Sequence, residues 1–458
     1  MSASGSRWLH ALAVSALLAL AVLAGCGGNS TETTITGGGL SGDPNGPVVS
    51  LDQPTGPNTT EIVVDTGPAS GFALGAANIP YVTVTVCTPG SATSCVTIDH
   101  VFLDTGSIGL RLFRSSVASL GLAALNVPAD AASNTPAGPV AECYPFVLGA
   151  VWGPMAVADV RIGGEIAPAL PIQLIDEASA PTLAPPADCT AAANGGLLDS
   201  PSSLQANGVL GIGMVSYDCG LNCATGNYGS GHVLYYACPN GSASCVPAAV
   251  PGALQMQNPV AAFRADANGV ANNNGSVIMM PAIPDLGASV VRGRLVFGIG
   301  TQSNNQIPAT ARVLPVDTNP ANDTYLSLGT SAGGLNYPTS YIDSGSNAMF
   351  FDDTTIRMSC QSSAGSSGTG MGWYCPQTVL QRTATITGAD GTSASVDISV
   401  ANADVLFGGG NVGFHNLAGT AGQGTTTFVW GMPFFYGRSV FTSIWGQPLA
   451  TYGPWNAF

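Results

Sequence analysis

Three aspartates in this chain begin an Asp-Thr-Gly or Asp-Ser-Gly tripeptide: Asp65, Asp104 and Asp343. The stretches around the last two read "VFLDTGSIGLRLF" (residues 101–113) and "SYIDSGSNAMFF" (residues 340–351), so each acid follows an apolar run and enters a glycine turn. A buried carboxylate is costly unless it is hydrogen-bonded or paired. Two that meet cannot both ionise easily, so they share a proton: one can act as a base toward water, the other as an acid toward a carbonyl oxygen.

The tripeptide at Asp65 is expected to be a plain turn, in which the aspartate accepts hydrogen bonds from nearby backbone N–H groups. Pro68 stands where the other two copies have a serine, and no similar apolar continuation follows. The preceding run "EIVVD" is predicted to be an N-terminal strand. The chemistry is therefore assigned to Asp104 and Asp343.

The elements that must position these acids are predicted to be short β-strands. Charged residues make up 8% of the 458 residues, and the chain contains 60 Gly and 32 Pro, which favours strands and turns over helices. Strand-length runs include "YVTVTV", "VTIDHVFL", "MAVADVRIGG", "RLVFGIG", "TATITG", "SVDISV" and "SVFTSIWG". The chain is predicted to be all-β, with two short helical stretches, "SSVASLGLAAL" and "NPVAAF", and long loops at 182–204, 218–251 and 265–289.

The two halves of the chain resemble each other. About a hundred residues after Asp104 comes "NGVLGIG" (residues 207–213), and "FVWGMPFF" (residues 428–435) follows Asp343 at a similar distance. In both halves an acid motif is thus followed by two apolar residues and a glycine. This pattern indicates an internal duplication.

Together these motifs resemble the two-lobed, pepsin-like aspartic peptidase family. "VFLDTGS" and "SYIDSGSNAMFF" are similar to its two catalytic turns, and "NGVLGIG" and "FVWG" to the segments that complete the psi loop of each lobe. The resemblance covers most of residues 80–458 and implies a pepsin-like fold, in which each lobe is a psi-loop β-barrel and the active-site cleft lies between the lobes. It implies lobes at residues 61–308 and 309–458, with "EIVVD" in the interlobe sheet.

The resemblance also implies an activity. Asp104 and Asp343 would hold a nucleophilic water and share one proton, as the carboxylate pair of this family does. The chain would be an endopeptidase that cuts an extended polypeptide without a cofactor or a metal. Six neighbouring residues would support the pair through hydroxyl-to-backbone contacts between lobes, tight turns and hydrogen bonds to the carboxylates: Thr105, Gly106, Ser107, Ser344, Gly345 and Ser346.

Three positions depart from the family pattern near the expected flap and substrate-binding surface. Alignment of "YPFVLGAVWGPMAVADV" with the flap places Phe146 where the family has a tyrosine, and Tyr144, two residues earlier on the same strand face, could supply the hydroxyl. Arg111 replaces a tryptophan that usually follows the first catalytic turn. If Arg111 points inward, it lowers the pKa of a nearby carboxylate; if it points outward, it is a surface residue.

A second class of function stays open on the same residues. A cell-envelope binding or structural protein on the pepsin-like scaffold could keep the two aspartates with little or no protease activity, because fold does not imply function. Hydrolysis by a Ser-His-Asp triad is less well supported, since no nucleophile elbow lies near His100, His232 or His415. His100 is expected to be a strand-end residue.

Charge limits the partners that the chain can bind. Its 26 acidic and 11 basic residues give a net charge of −15, and no Lys/Arg cluster is present in the sequence. A nucleic-acid partner and charge-driven binding to an anionic membrane are therefore not expected. A monomer is expected, whose partner is the polypeptide substrate.

The N-terminus predicts export and a lipid anchor. Arg7 precedes an apolar run that ends in "LAGC", so residues 1–25 are predicted to be a signal peptide, with an uncleaved membrane span as the alternative. This end resembles the lipobox of bacterial lipoproteins, which implies a lipid on Cys26 and attachment to the cell envelope, with the outer membrane as the expected site. Residues 26–60, rich in Gly, Ser, Thr, Asn and Pro, are predicted to be a flexible linker.

Ten cysteines remain when Cys26 is set aside. An even number in an exported chain predicts five disulfides, whose connectivity the sequence does not fix. Cys87 with Cys95, and Cys360 with Cys375, are close enough along the chain to form loop staples. No cysteine pair has zinc-site spacing, so a metal site is not expected.

Overall fold

A computed structural model describes residues 46–51, 54–68, 77–192, 196–228, 232–239, 245–319, 326–358, 360, 372–422, 426–449 and 453–458. The predicted signal peptide, the predicted lipidation site Cys26 and most of the predicted linker lie outside these ranges. Within them, no helix is both long enough and apolar enough to cross a membrane.

Short strands dominate the described chain. The first fourteen are β1 (Val48–Ser50), β2 (Thr59–Val64), β3 (Tyr81–Cys87), β4 (Cys95–Asp104), β5 (Ile108–Phe113), β6 (Asn126–Val127), β7 (Gly138–Phe146), β8 (Gly149–Ile162), β9 (Glu165–Ile175), β10 (Gly208–Ile212), β11 (Tyr235–Ala237), β12 (Val246–Pro247), β13 (Gly275–Met279) and β14 (Val290–Phe297). The remaining ten are β15 (Val313–Pro315), β16 (Leu328–Ala332), β17 (Leu335–Ile342), β18 (Met349–Phe350), β19 (Leu380–Thr387), β20 (Ser393–Val400), β21 (Ala418–Gly419), β22 (Val429–Trp430), β23 (Ser439–Ser443) and β24 (Trp455–Ala457).

Helices are short. They are α1 (Ala187–Ala192), α2 (Pro201–Leu204), α3 (Leu221–Ala224), α4 (Ala403–Gly408) and α5 (Met432–Phe435), with 3₁₀ turns at Arg114–Leu120 and Gly252–Leu254. The first predicted helical stretch corresponds to the 3₁₀ turn that follows β5, while residues 258–263 form turns. The predominance of strands confirms the all-β prediction.

The N-terminal lobe contains a closed barrel. Its strands pair in the order β3, β4, β10, β5, β9 and β8, and β8 pairs again with β3. β10 lies between β4, to which it is parallel, and β5, to which it is antiparallel. Because all five residues of β10 are buried, "NGVLGIG" reads as an apolar run without alternation.

The C-terminal lobe repeats this arrangement in an open sheet. Its strand order is β20, β19, β16, β17, β22, β18 and β21. Here β22 is parallel to β17 and antiparallel to β18, as β10 is to β4 and β5. Each lobe therefore has the psi loop that the duplicated motifs predicted, and the two-lobed, all-β fold is confirmed.

A central sheet joins the two lobes. β2, β14, β13, β23, β24 and β15 pair in that order, so strands from both halves of the chain contribute. "EIVVD" lies in β2, as predicted. Two boundaries differ from the predictions: β1, inside the predicted linker 26–60, pairs with β14, and β13 lies inside the predicted loop 265–289. Both segments are short and flanked by Gly, Pro or Asn, so only pairing with distant strands makes them extended.

All ten cysteines of the folded part are paired. The disulfides are Cys87–Cys95, Cys143–Cys189, Cys219–Cys223, Cys238–Cys245 and Cys360–Cys375. Both predicted loop staples are among them. Five disulfides are typical of an oxidising compartment, which indicates an exported protein.

Candidate active site

The first acid turn is closed by the psi loop that passes beside it. Asp104 is the last residue of β4, and the Gly106 N–H donates to its Oδ1 at 2.7 Å. β10 runs so close that a Cβ added to Gly211 would lie 2.6 Å from the Ile108 nitrogen and 2.7 Å from Ser107 Oγ. The glycine of the apolar-apolar-glycine motif is therefore required by contact with the acid turn.

The second acid turn has the same construction. Asp343 follows β17 directly, and its Oδ1 accepts from the Gly345 N–H at 2.8 Å. A Cβ on Gly431 would lie 2.4 Å from the Ser346 carbonyl oxygen and 2.1 Å from that of Ala348. The repeated sequence motif thus forms the same structure in both lobes: an acid turn in close contact with a glycine of the psi loop.

The two turns meet and hold each other crosswise. The Thr105 N–H donates to Ser344 Oγ at 3.1 Å, and the Ser344 N–H donates to Thr105 Oγ1 at 2.9 Å. Ser344 Oγ also donates to the Leu103 carbonyl oxygen at 2.9 Å. A Cβ on Gly345 would lie 2.3 Å from Asp104 Oδ1, so the absence of a side chain there lets the two carboxylates approach.

Asp104 and Asp343 form a buried, coupled pair. Each is 1% exposed, and the two side chains are within hydrogen-bonding reach of each other. Burial raises the pKa of Asp104, although the Gly106 N–H and the Arg111 charge act in the opposite direction. Burial, and next the charge of Asp104, raise the pKa of Asp343 well above its usual range. A pair of this kind holds one proton at mildly acid pH.

The two serines that follow the turns are not equivalent. Ser346 Oγ donates to Asp343 Oδ2 at 2.7 Å. Ser107 faces Asp104, but its buried hydroxyl makes no hydrogen bond of good geometry. The sequence predicted the same role for both, and the structure gives a formed hydrogen bond only to the second.

A hairpin made by β7 and β8 reaches from the N-terminal lobe to the C-terminal lobe. Its two-residue tip starts at Val147, which packs against an apolar cluster of the C-terminal lobe that includes Phe350, Trp373 and Phe407. Beside Asp343 and between the lobes lies a cavity of about 60 Å³ with a mostly apolar lining: Ile108, Met214, Val215, Leu326, Leu328 and Tyr341.

Comparison with known proteins assigns a family. A family model with the description "Protein of unknown function (DUF3443)" matches residues 54–458. The chain belongs to this family. No curated protein matches its sequence. Among solved structures, an aspartic proteinase from Irpex lacteus is similar at 12% sequence identity and a TM-score of 0.46, over 87% of this chain and 96% of that one.

Arg111 of this DUF3443 protein does not contribute to a substrate-binding surface. Its side chain is fully buried, its NH2 group donates to Glu142 Oε1 at 2.7 Å, and its NH1 group donates to the Ile108 carbonyl oxygen at 2.7 Å. Its expected place at the flap and substrate-binding surface is corrected, because β5, a strand of the barrel wall, directs this side chain into the interior of the lobe. Of the two orientations considered, the inward one holds.

The flap residues of the DUF3443 chain also differ from the expectation. Tyr144 is 4% exposed and lies under the Arg111 guanidinium, whose central carbon is 3.8 Å from the ring centroid. Phe146, at the end of β7, is partly exposed and packs on Tyr144 with ring centroids 5.1 Å apart. Tyr144 belongs to the lobe interior, and Phe146 stands nearer the tip.

Sequence reasoning missed three polar residues of this DUF3443 chain behind the hairpin: Glu142, Asp218 and Tyr235. All are buried, at 0%, 2% and 0% exposure. The rule that singled out Asp104 would have found Glu142, since it is an acid between apolar residues in "GPVAECYPF". Asp218 lies in a segment predicted as a loop, which concealed its burial.

The third tripeptide of the DUF3443 chain lies away from the pair. Asp65 accepts from its own turn at Gly67, and its Oδ2 lies 3.3 Å from the His100 ring. The residues Cys360, Cys375 and Asp404 place three possible metal-ligand atoms within 4.8 Å of one another. The two cysteines form a disulfide, so their sulfurs are not available as thiolate ligands.

Proposed function

We propose that the chain is an aspartic-type endopeptidase. The observation that carries the proposal is the buried pair Asp104 and Asp343 (the dyad). The pair lies where the two acid turns meet and hydrogen-bond to each other. Each carboxylate accepts a backbone N–H at one oxygen, and Asp343 also accepts from Ser346 Oγ at the other. The two side chains lie within hydrogen-bonding reach of each other, so that one water could contact both carboxylates.

In the proposed reaction, the ionised member of the pair removes a proton from the water as it attacks the peptide carbonyl carbon. The protonated member donates its proton to the carbonyl oxygen, which gives a neutral tetrahedral diol. Transfer of a proton to the amide nitrogen then allows the C–N bond to break, and no acyl-enzyme forms. Extended polypeptide is the proposed substrate, because the β7–β8 hairpin, which reaches from one lobe to the other, could pair with an extended strand.

Activity against an unfolded polypeptide tests the proposal. The full-length, oxidised protein should cleave a reduced and alkylated protein at mildly acid pH, because catalysis needs one proton on the pair. Asp104→Asn and Asp343→Asn should each lower the rate by about 10²-fold or more. The initial rate, followed by mass spectrometry of the products between about pH 3 and 7, is the measurement.

Asp65→Asn is the matched control. It changes the same residue type in the same tripeptide, away from the pair, and should retain the wild-type rate. Folded wild-type protein that cleaves nothing over this pH range, or cleavage that persists in both dyad variants, would contradict the proposal. Pepstatin should inhibit the wild type, since it binds a carboxylate pair of this kind.

A binding or structural function is the second candidate, and one observation favours it. The hairpin tip at Val147 rests on the C-terminal lobe while both aspartates are 1% exposed. A protein that kept this closed state would present its outer surface to partners and would not turn over peptide. Folded protein that lacks activity would support this candidate.

We also propose that the chain is lipid-anchored to a bacterial cell envelope through Cys26, most simply at the outer membrane. The support is the sequence "LAGC" at the end of the apolar run and the five disulfides of an exported domain. A radioactive fatty acid should label the wild type and not Cys26→Ala, and sucrose-gradient fractions should place the labelled protein with outer-membrane markers. A labelled Cys26→Ala protein would contradict the anchor.

A further inference from the structure

A second group of charges is buried behind the hairpin, in the N-terminal lobe. Arg111 of β5 and Glu142 of β7 are both fully buried and form an ion pair at 2.7 Å. β5 begins four residues after Asp104, and β7 is the first strand of the β7–β8 hairpin. The ion pair therefore ties the strand that follows the acid turn to the first strand of this hairpin.

Asp218 lies beside this ion pair and interacts with Glu142. Glu142 Oε1 is taken by Arg111, while Glu142 Oε2 is buried and receives no hydrogen bond from an N–H or hydroxyl of the described residues. The Asp218 carboxyl is within hydrogen-bonding reach of Glu142. Two carboxylates cannot bond without a proton, so a proton on Asp218 supplies the donor that Oε2 lacks.

The surroundings of Asp218 agree with this placement of the proton. Tyr235 Oη lies 2.8 Å from each Asp218 oxygen, and the Met256 N–H donates to Tyr235 Oη at 2.7 Å. Burial, and next the charge of Glu142, raise the pKa of Asp218 well above its usual range. The Met256 N–H then donates to Tyr235, Tyr235 donates to Asp218, and the proton on Asp218 is donated to Glu142. Glu142 also accepts from Arg111.

Arg111 lies beside the first acid turn: its NH1 group donates to the Ile108 carbonyl oxygen at 2.7 Å, and Val209 of β10 pairs with Arg111 on one side and with Phe102, two residues before Asp104, on the other. In this position its positive charge lowers the pKa of Asp104, in opposition to the larger effect of burial. Tyr144 lies against the guanidinium. After burial, the charges of Arg111, Asp218 and Asp104 contribute to the raised pKa of Tyr144, the first in the opposite direction. The ionisable groups around Arg111 are Glu142 and Tyr144 from β7, Asp218 from the segment after β10, Tyr235 from β11 behind Asp218, and Asp104 from β4.

We propose that Arg111, Glu142 and Asp218 form a charge-positioning site for the dyad. Glu142 holds the guanidinium in place beside the first acid turn and neutralises part of its charge, while the proton on Asp218 prevents a second negative charge from accumulating there. These are positioning residues and touch no reacting atom. The inference rests on the proposed function, since it assigns to these residues control over the proton that the dyad shares.

The two members of the ion pair must then act with opposite sign. Glu142→Gln leaves the positive charge of Arg111 without its counter-ion, so the carboxylate form of the dyad is favoured and the dyad titrates at lower pH. Arg111→Met combined with Glu142→Gln removes the positive charge as well, so the dyad titrates at higher pH. A purely structural role would give loss of stability without opposite shifts.

Carbon-13 NMR of labelled aspartate carboxyls in the full-length protein measures this directly, without turnover. Signals of the dyad are assigned by their loss in Asp104→Asn and Asp343→Asn. The titration midpoint of the ionised member should fall by about 0.5 to 1 pH unit in Glu142→Gln and rise by a similar amount in the double variant. Shifts in the same direction, or none, would overturn the inference.

Asp218→Asn is the matched control for the location of the proton. The amide is neutral and can donate to Glu142 Oε2, as the protonated acid does, so the dyad titration should stay within about 0.2 pH unit of wild type. A rise of the dyad midpoint in this variant would show that Asp218 is ionised and would refute the proposed site. Near-UV circular dichroism establishes that each variant is folded.

The double variant decides the question if Glu142→Gln fails to fold, because apolar or neutral replacement of a buried ion pair is tolerated better than removal of one partner. An upward shift in the double variant supports the inference, and an unchanged midpoint overturns it. Failure of the proposed function is a separate result. Opposite shifts without peptide cleavage would refute the endopeptidase, while cleavage without opposite shifts would refute the charge-positioning site.

Discussion

At the scale of single residues, the two aspartates are alike in sequence and differ in their surroundings. Asp343 accepts from Ser346 and carries the larger upward shift in pKa, whereas Asp104 lies near Arg111, whose charge partly offsets the effect of burial. This asymmetry favours the proton on Asp343 and the negative charge on Asp104. The arrangement costs folding free energy at neutral pH, because a buried acid resists ionisation.

Replacement of Asp343 should therefore stabilise the protein at neutral pH while it removes activity. A carboxyl whose pKa is raised by folding contributes stability that is present below the pKa of the unfolded chain and is lost as pH rises through the folded value. Asp343→Asn avoids this loss of stability. The gain in the free energy of unfolding is about 1.4 kcal/mol for each pH unit by which folding raises the pKa of Asp343. Denaturant unfolding should show the gain at pH 7 and little difference at pH values below about 4.

Asp65→Asn serves as the control for this measurement. Asp65 is half-buried, and its replacement should give no gain in the free energy of unfolding at pH 7. An Asp343→Asn protein that is less stable than wild type by the same amount at both pH values would contradict the expectation. The hydrogen bond from Ser346 would then outweigh the cost of burial.

At the scale of elements, the psi loops fix the acid turns by close backbone contact. β10 and β22 each pass between the two strands that flank an acid turn, and each carries a glycine against that turn. Gly211 and Gly431 thus act as spacers at equivalent positions. The turn geometry depends on strands about a hundred residues away in sequence.

Gly211→Ala should disturb the first acid turn. Its Cβ would lie 2.6 Å from the Ile108 nitrogen, a contact that backbone must relieve, and we expect a loss of about 1–3 kcal/mol in the free energy of unfolding. Gly408→Ala is the control, because no atom lies within 4 Å of the added Cβ at the end of α4. Equal stabilities of the two variants in guanidinium would contradict the spacer role.

At the scale of the whole molecule, each lobe is cross-linked within itself. Four of the five disulfides lie in the N-terminal lobe and one, Cys360–Cys375, lies in the C-terminal lobe. In the described part of the chain, the lobes are joined by the central sheet, the crosswise Thr105 and Ser344 contacts and the shared apolar core. Apart from the chain itself, the described parts of the two lobes thus meet through non-covalent contacts.

The disulfides should differ in their contribution to stability because they close loops of different length. Cys143–Cys189 spans 46 residues and Cys219–Cys223 spans 4. Loop-closure entropy gives about 4 kcal/mol for the first and about 2 kcal/mol for the second. The double alanine variant of each pair, compared by thermal unfolding, should show the larger loss for Cys143 and Cys189. The opposite order would indicate that the packing around the shorter loop dominates.

Much of the site could be predicted because its parts are local. An acid, a hydroxyl and a glycine after an apolar strand make a turn wherever they occur, so Asp104, Asp343 and their neighbours follow from the sequence. Asp65 begins the same tripeptide, but the residues that follow it differ. Pro68 in place of the serine already indicated that Asp65 lies in a plain turn. The strand β13, in contrast, is short and polar at its borders, and pairing with β14 and β23 makes it a strand.

The amino-acid sequence by itself determined the all-β class, the duplication, the two acid turns and the even set of cysteines, because each depends on neighbouring residues or on counts. Only the tertiary structure decided that Arg111 points inward, that Tyr144 is buried, and that Glu142, Asp218 and Tyr235 form a second charged group. Side-chain direction in a closed barrel depends on register with strands far away in sequence, and a one-residue shift reverses it. The charge that acts on the proposed dyad is therefore a property of the folded barrel.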